Sequence, residues 1–495
     1  MPRAGMLSSY ASSAFKILLL LAIGLALLKF SPLGTSDRSD KYAQDLFNHY
    51  LGAWFYPDTS QDKSVVLLLT DEVVDSRLKG GWPAPYDFHG DILNRLLLHD
   101  PASVFIDFFW MNQNKPGVAY LLRVLRKYQS RHIPVYMAVR SRDDFTRTWP
   151  ELQGLVIPVA ADIGFDPSDF VARQYLFNKQ GLETAAFSMG KAVRPDLESV
   201  DPDSSMDIFW GARENLTNAV WMEAGRTQDT NWMDAVNEGF TGFTQRTPYS
   251  TTLFVRDLLN PVADTEAKAE QELRSFLQGK HVFYGANLSG VQDIVLAPTR
   301  EILPGVYYHA MAFDNLLTWG PSFKAADPHV GPERTRLPMW LLDLAVLLPV
   351  VLLGVFHHER QRCLPDDVIP IVERRLSRLR RPLLDIIKSL LFYSTWHIGK
   401  WLFGFGALIA WVVFCSWVEF HYFNVSAASW LGYLGVISLG FATEKLELID
   451  RSYHWLKINV YQEAVYEQGT IYTGGVCNDP ATIDSERISS RTFDG

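Results

Sequence analysis

The sequence predicts an α/β extracytoplasmic domain with a mainly parallel sheet, plus four transmembrane α-helices. Three observations predict it. Short runs of strand formers alternate with helix-spaced apolar residues after residue 60, the order of a parallel sheet with crossover helices. Long apolar runs, nearly free of charge, lie at both ends of the 495 residues. No cysteine lies between residues 32 and 337, so that segment folds without disulfides, as suits a bacterial envelope domain.

In chain order, residues 1–31 hold a cytoplasmic N-terminus and a first span. Ile17–Leu28 is uninterrupted apolar sequence between Lys16 and Lys29. Counted from Ser12 to Phe30, with both lysines reaching to headgroups, it is long enough to cross. The rival reading is a cleaved signal peptide, but no small-x-small site follows, only Lys29-Phe30-Ser31-Pro32. A retained anchor is expected.

Residues 32–337 are the extracytoplasmic segment. Val65–Leu69, apolar on both faces, reads as a central parallel strand ending at Thr70-Asp71-Glu72. Trp82-Pro83-Ala84-Pro85 precedes a helix carrying Ile92, Leu96 and Leu97. A buried strand at Val104–Phe109, a helix at Gly117–Tyr128 and a strand at Val135–Val139 complete a β-α-β-α-β order, and Leu155–Ala160 reads as another strand. Residues 195–245 form a less regular, Trp-rich insertion with Phe209, Trp210, Trp221, Trp232 and Phe240. These aromatics read either as an extension of the core or as a partner-binding surface. Tyr249–Leu259 reads as a helix leading to the next strand.

Lys280–Gly320 closes the segment and organises it. His281-Val282-Phe283-Tyr284 reads as a buried strand meeting a turn at Gly285, and Gly285–Gly290 as a polar loop leading to Asp293. After a Pro304-Gly305 turn, Val306, Ala310, Phe313 and Leu317 recur at helical spacing until Gly320 stops the helix. Strand, polar loop and helix place the loop where open α/β sheets put ligands.

Further spans are expected at 338–356, 401–418 and 423–443. The basic loop 357–400, with Arg374, Arg375, Arg378, Arg380 and Arg381, contrasts with 419–422, which has no Lys or Arg. The first is therefore cytoplasmic and the second external, and 444–495 is a short cytoplasmic tail. The basic loop reads either as an orientation signal alone or, with Pro382–Leu391 amphipathic, as a helix lying on headgroups.

A family resemblance rests on residues of the closing stretch. Gly279-Lys280-His281-Val282-Phe283-Tyr284-Gly285, Asp293, Ala297-Pro298, Pro304-Gly305-Val306, His309-Ala310 and Asp314-Asn315-Leu316-Leu317 occur in the order found at the end of the second CHASE family. That family is the sensory extracellular domain attached to cyclases and histidine kinases. The opening strands, each ending in Asp, and Trp82-Pro83 resemble its beginning, and Val171-Ala172-Arg173 its V-x-R segment without the usual Gly. The resemblance implies one N-terminal and three C-terminal transmembrane helices and a sensory role. It usually implies a fused output domain as well, and residues 444–495 are too short for a cyclase or kinase.

Asp71, Glu72 and Asp107 should cluster, because their strands end at one edge of a parallel sheet, and Asp293 and His309 should join them. Three readings compete. Carboxylates with a His suit a catalytic or metal site. A pocket could instead read a small polar molecule, with Arg173 as counter-charge. The third reading is structural, since Asp caps helices and a helical His is often a satisfied core residue. No phosphate loop, G-x-S-x-G, H-E-x-x-H or kinase signature occurs, so no catalytic residue, metal or cofactor is assigned. The net charge of −9 argues against nucleic acid. The expected partners are the lipid bilayer, a protein partner or second copy, and an unidentified small molecule. A sensor or membrane-complex subunit of the inner membrane, acting through a separate partner, is the leading reading. A structural scaffold and a periplasmic metal-assisted hydrolase are the alternatives.

Overall fold

Continuous apolar runs along the central strands fix the architecture, because such strands must be covered on both faces. The computed structural model describes residues 35–79, 81–111, 116–211, 213, 215, 248–261, 266–291, 293–299, 301–325, 329–330, 335–362, 406 and 410–426, with 14, 15, 18, 19, 21 and 22 near the N-terminus. The chain divides into two compact units, 23–350 with 378–438, and 1–22 with 351–377 and 439–495. The elements below belong to the first, apart from the end of the last helix.

α1 (Thr35–Leu46) continues through a wider turn at Phe47–Leu51 into α2 (Gly52–Phe55). Then follow β1 (Ser64–Thr70), α3 (Asp71–Leu78), α4 (Tyr86–Leu97), β2 (Ser103–Ile106), α5 (Val118–Ser130), β3 (Val135–Ala138), α6 (Arg142–Thr148) and β4 (Ile157–Val159). β5 (Gln174–Leu176), β6 (Asn178–Lys179), β7 (Leu182–Glu183), α7 (Ala185–Val193) and β8 (Ser205–Asp207) form the next part. The chain returns through β9 (Thr252–Phe254), α8 (Val255–Leu259), α9 (Glu266–Leu277), β10 (His281–Asn287), β11 (Ile294–Leu296), β12 (Ile302–Pro304) and α10 (Val306–Trp319). α11 (Met339–Arg362) ends the series.

Six strands pair in the order β4-β3-β2-β10-β1-β9, every pair parallel. β10, the last of the six in sequence, thus lies between β1 and β2, in register with β1 from Ser64↔His281 to Thr70↔Asn287. Val66, Leu68, Phe105 and Phe283 face α7 and α10, while Val65, Leu67, Val104 and Tyr284 face α4, α5, α8 and α9. Each fully buried Val, Leu or Phe contributes roughly 1.5–3 kcal/mol, so a strand buried on both faces is strongly held in register.

Three expectations need correction. Gly285 is not a turn: it lies inside β10, where an added Cβ would sit 2.5 Å from the Val306 Cβ. Glycine there lets the start of α10 cross the strand closely. The second strand stops at Ile106 rather than Phe109, and Phe109 is 45% exposed. Tyr249–Leu259 is not all helix: Thr252-Leu253-Phe254 joins the sheet beside β1, as its β-branched and aromatic residues favour. In the insertion, Phe209 and Trp210 are buried in the core, with Trp210 Nε1 donating to the Ala172 carbonyl at 2.9 Å. Trp221, Trp232 and Phe240 lie outside the described residues.

The span expected at 338–356 falls in α11, which is 24 residues long and interrupted by Asp343 and Pro349. Among the described residues, no helix is long and apolar enough to cross a membrane. Most of the first and fourth expected spans, and the start of the third, lie outside the described residues.

Candidate functional site

The carboxyl ends of six parallel strands meet at one edge, and the insertion of β10 between β1 and β2 marks the crevice of that edge. β2 delivers Asp107, whose backbone N–H still pairs with the Tyr284 carbonyl at 2.8 Å, so its side chain leaves from the end of the ladder. The segment between β10 and β11 delivers Asp293. Its carbonyl accepts from the Gly305 N–H at 3.0 Å, and its carboxyl lies against Gly305, where an added Cβ would come 2.2 Å from Oδ1. Gly305 is therefore required small for Asp293 to rest at the start of α10.

Burial pushes the Asp107 carboxyl well above the usual carboxylate range, and the charge of Asp293 pushes it further. Burial also raises Asp293. Both side chains keep some exposure to solvent. Among the described residues, neither carboxyl has a hydrogen-bond or ion-pair partner. Each of these carboxyls therefore favours its protonated form.

The other expected residues divide around this pair. His309 sits in the first turns of α10, 1% exposed, with Nδ1 2.9 Å from Tyr175 Oη and its ring 5.2 Å from that of Phe105. Burial lowers its pKa to about 4, so it is a neutral imidazole. Its Nε2 is buried and has no hydrogen-bond partner among the described residues. Asp71 opens α3 and accepts from the Ser289 N–H at 3.0 Å, tying down the loop after β10. Glu72 is exposed and pairs with Arg256 at 3.0 Å. Arg173 is buried and held by Asp45 and Asp169, each at 2.7 Å, with Asp166 at 3.6 Å. It acts on neither Asp107 nor Asp293. Among the described residues, no group of three His, Cys, Asp or Glu could hold a metal ion.

Tyr175, which links His309 to the field of Asp107, had no signal in the sequence. Nor had the network in which Tyr56 donates to Asp314 and Asn315 Nδ2 donates to Tyr56 Oη at 3.1 Å. A cleft of about 670 Å³ lies away from the carboxyl edge, between residues 54–58, 319–324 and 420–424.

A model of the CHASE2 domain matches residues 17–356. The match covers more than half of the chain, and the chain belongs to this family of sensory extracellular domains. No curated protein and no solved structure matches the chain.

Proposed function

We propose that the chain is a membrane-anchored sensor whose external α/β domain reads a small polar molecule between Asp107 and Asp293 and passes the signal to a separate protein. The family is sensory, which supports the general role. The observation that carries the finer reading is the pair of partly buried carboxyls that have no hydrogen-bond or ion-pair partner among the described residues. Unpaired buried carboxyls cost stability, and a hydrogen-bond donor or cation placed between them removes that cost. Asp71 supports the same edge by fixing the loop after β10. Glu72, Arg173 and His309 belong to the frame around it.

Membrane anchoring through the expected spans at residues 1–31, 338–356, 401–418 and 423–443 is part of the proposal. Apolar side chains on α11 and helical residues 410–422 point outward, with Trp340 55%, Phe414 52% and Trp417 40% exposed. Such a surface suits lipid or a partner helix.

Thermal unfolding of the whole chain in mild detergent tests the site, with magnesium, calcium or the small-molecule fraction of a periplasmic extract added. Stabilisation of the wild type that is lost in Asp107→Asn is expected, because a ligand of the native state raises the melting temperature by mass action. Identical curves in every condition reject the ligand reading.

A further inference from the structure

We propose that the cleft between residues 54–58, 319–324 and 420–424 is a second binding site, for an anionic amphiphile. Its head group meets Lys324, and its acyl chain lies along the aromatic row of residues 414–422. The cleft's volume of about 670 Å³ falls in the range of small-molecule sites.

The cation is the first observation. Lys324 is 3% exposed although the cleft reaches it. Its Nζ donates to the Phe420 carbonyl and to Asn424 Oδ1, and lies 4.2 Å from the Phe420 ring centre and 5.0 Å from that of Trp319. All of these partners are neutral. Among the described residues, no carboxylate pairs with it. Burial lowers Lys324 to about 7, and an anion bound in the cleft would hold the ammonium form, which is normally paired when buried. Elsewhere on the lining Arg213 pairs with Asp58 at 2.8 Å, and both side chains are half exposed. An ammonium has three donors, and two are used, which leaves one for the head group.

The apolar path is the second observation, and it is independent of the first. Tyr422, on the cleft wall, is 61% exposed and its ring lies 5.9 Å from Trp417. Trp417 lies 6.5 Å from Phe414, and Phe414 lies 5.8 Å from Trp411. This row of rings leads away from the cleft along one helix. Trp54, 86% exposed, stands at the mouth on the opposite wall. Exposed Trp and Tyr beside an ionic pocket have the amphipathic character of residues that meet head groups and chains together.

The ligand could be drawn from a bilayer or from solution, since a phospholipid and a free fatty acid share this chemistry. The whole chain is placed in detergent micelles doped with phosphatidylglycerol, phosphatidylcholine or oleate, with inorganic phosphate alone as a fourth arm. Retained molecules are counted by native mass spectrometry. Retention of phosphatidylglycerol at least tenfold above phosphatidylcholine is expected, and the preference should vanish in Lys324→Met and survive in Lys324→Arg. If oleate is retained and phosphatidylglycerol is not, the source is a free amphiphile. Trp417→Ala and Tyr422→Ala change exposed residues and leave the fold intact, and each should weaken retention several-fold. Equal retention of the two phospholipids together with no retention of oleate overturns the proposal. So does unchanged retention in both aromatic variants, or retention of phosphate alone.

Discussion

Tyr56 donates its phenolic proton to the carboxyl of Asp314, joining residues 258 positions apart. The bond ties the end of α2 to the helix α10 that lies over the central strands. Burial raises Asp314 to about 7, while the Tyr56 bond pulls it down and Asp62 pushes it up. The native state therefore holds the Asp314 proton more tightly than the unfolded chain, where the carboxyl titrates near 3.9. Stability from this group is full at low pH and is lost as pH rises through about 7. Tyr249 also faces the pair, and its phenol stays neutral throughout this window. Asp314→Asn should flatten this part of the pH profile and stabilise the chain above pH 7. Urea unfolding at a series of pH values checks it. A wild-type slope retained in the variant would contradict the assignment.

Asp107 and Asp293 carry the same sign. Both carboxyls are raised, Asp107 by burial and then by Asp293, so ionising the pair lowers stability as pH climbs above the ordinary carboxylate range. Asp107→Asn removes one charge and the repulsion with it. The ligand-free variant should melt a few degrees above the wild type at neutral pH, at about 2–4 °C for each kcal/mol. A variant that melts lower would mean that Asp107 holds a structural bond.

Gly285 meets Val306 where α10 crosses β10. Gly285→Ala puts a methyl 2.5 Å from the Val306 Cβ, a distance at which the helix or strand must shift. Overpacking of this kind costs about 1–3 kcal/mol. Gly285→Ala combined with Val306→Ala should recover part of the loss, and the coupling energy of that double-mutant cycle is the measurement.

Arg173 is enclosed by Asp45, Asp166 and Asp169, and they hold its guanidinium in the charged form. Arg173→Met removes the guanidinium that joins these carboxyls, while Asp166 keeps its pair with Lys41 at 2.6 Å. A loss of about 3 kcal/mol is expected in chemical denaturation, because removing one member of a buried ion pair is strongly destabilising. Arg173→Lys should recover only part, since an ammonium cannot reproduce the two-pronged contact. A loss below about 0.5 kcal/mol in Arg173→Met would place the network with weak surface pairs.

The strand cores were legible in the sequence, because Val65–Leu69 and His281–Tyr284 are runs that only a sheet covered on both sides can bury. The shared edge of Asp71, Asp107 and Asp293 was legible for the same reason, since parallel strands end together. Their division of labour was not. Whether an Asp ties a loop, as Asp71 does, or has no partner among the described residues, as for Asp107, depends on which backbone N–H arrives from 218 positions away. Arg173 looked like a free counter-charge because the acid nearest in spacing, Asp169, gives no sign of Asp45, 128 residues upstream. Gly285 was misread for a related reason. A glycine that admits a crossing helix and one that makes a turn have the same local sequence.

Membrane topology gives the last prediction. The loop 357–400 is rich in Arg and Lys, and 419–422 carries none, so the former should lie inside the cell and the latter outside. The structure supplies a position for the test: Tyr422 is 61% exposed, whereas Glu419 is buried at 6% and would report poorly. With Cys415 replaced by Ala, Tyr422→Cys should react in intact cells with a membrane-impermeant maleimide, and native Cys363 and Cys477 should react only after lysis. Labelling of Cys363 before lysis, in cells whose membrane integrity is verified with a cytoplasmic marker, reverses the orientation. Failure of Tyr422→Cys to label even in lysed cells would instead show that a partner or lipid covers this end of the helix, and loss of that protection in Lys324→Met would tie the cover to the cleft.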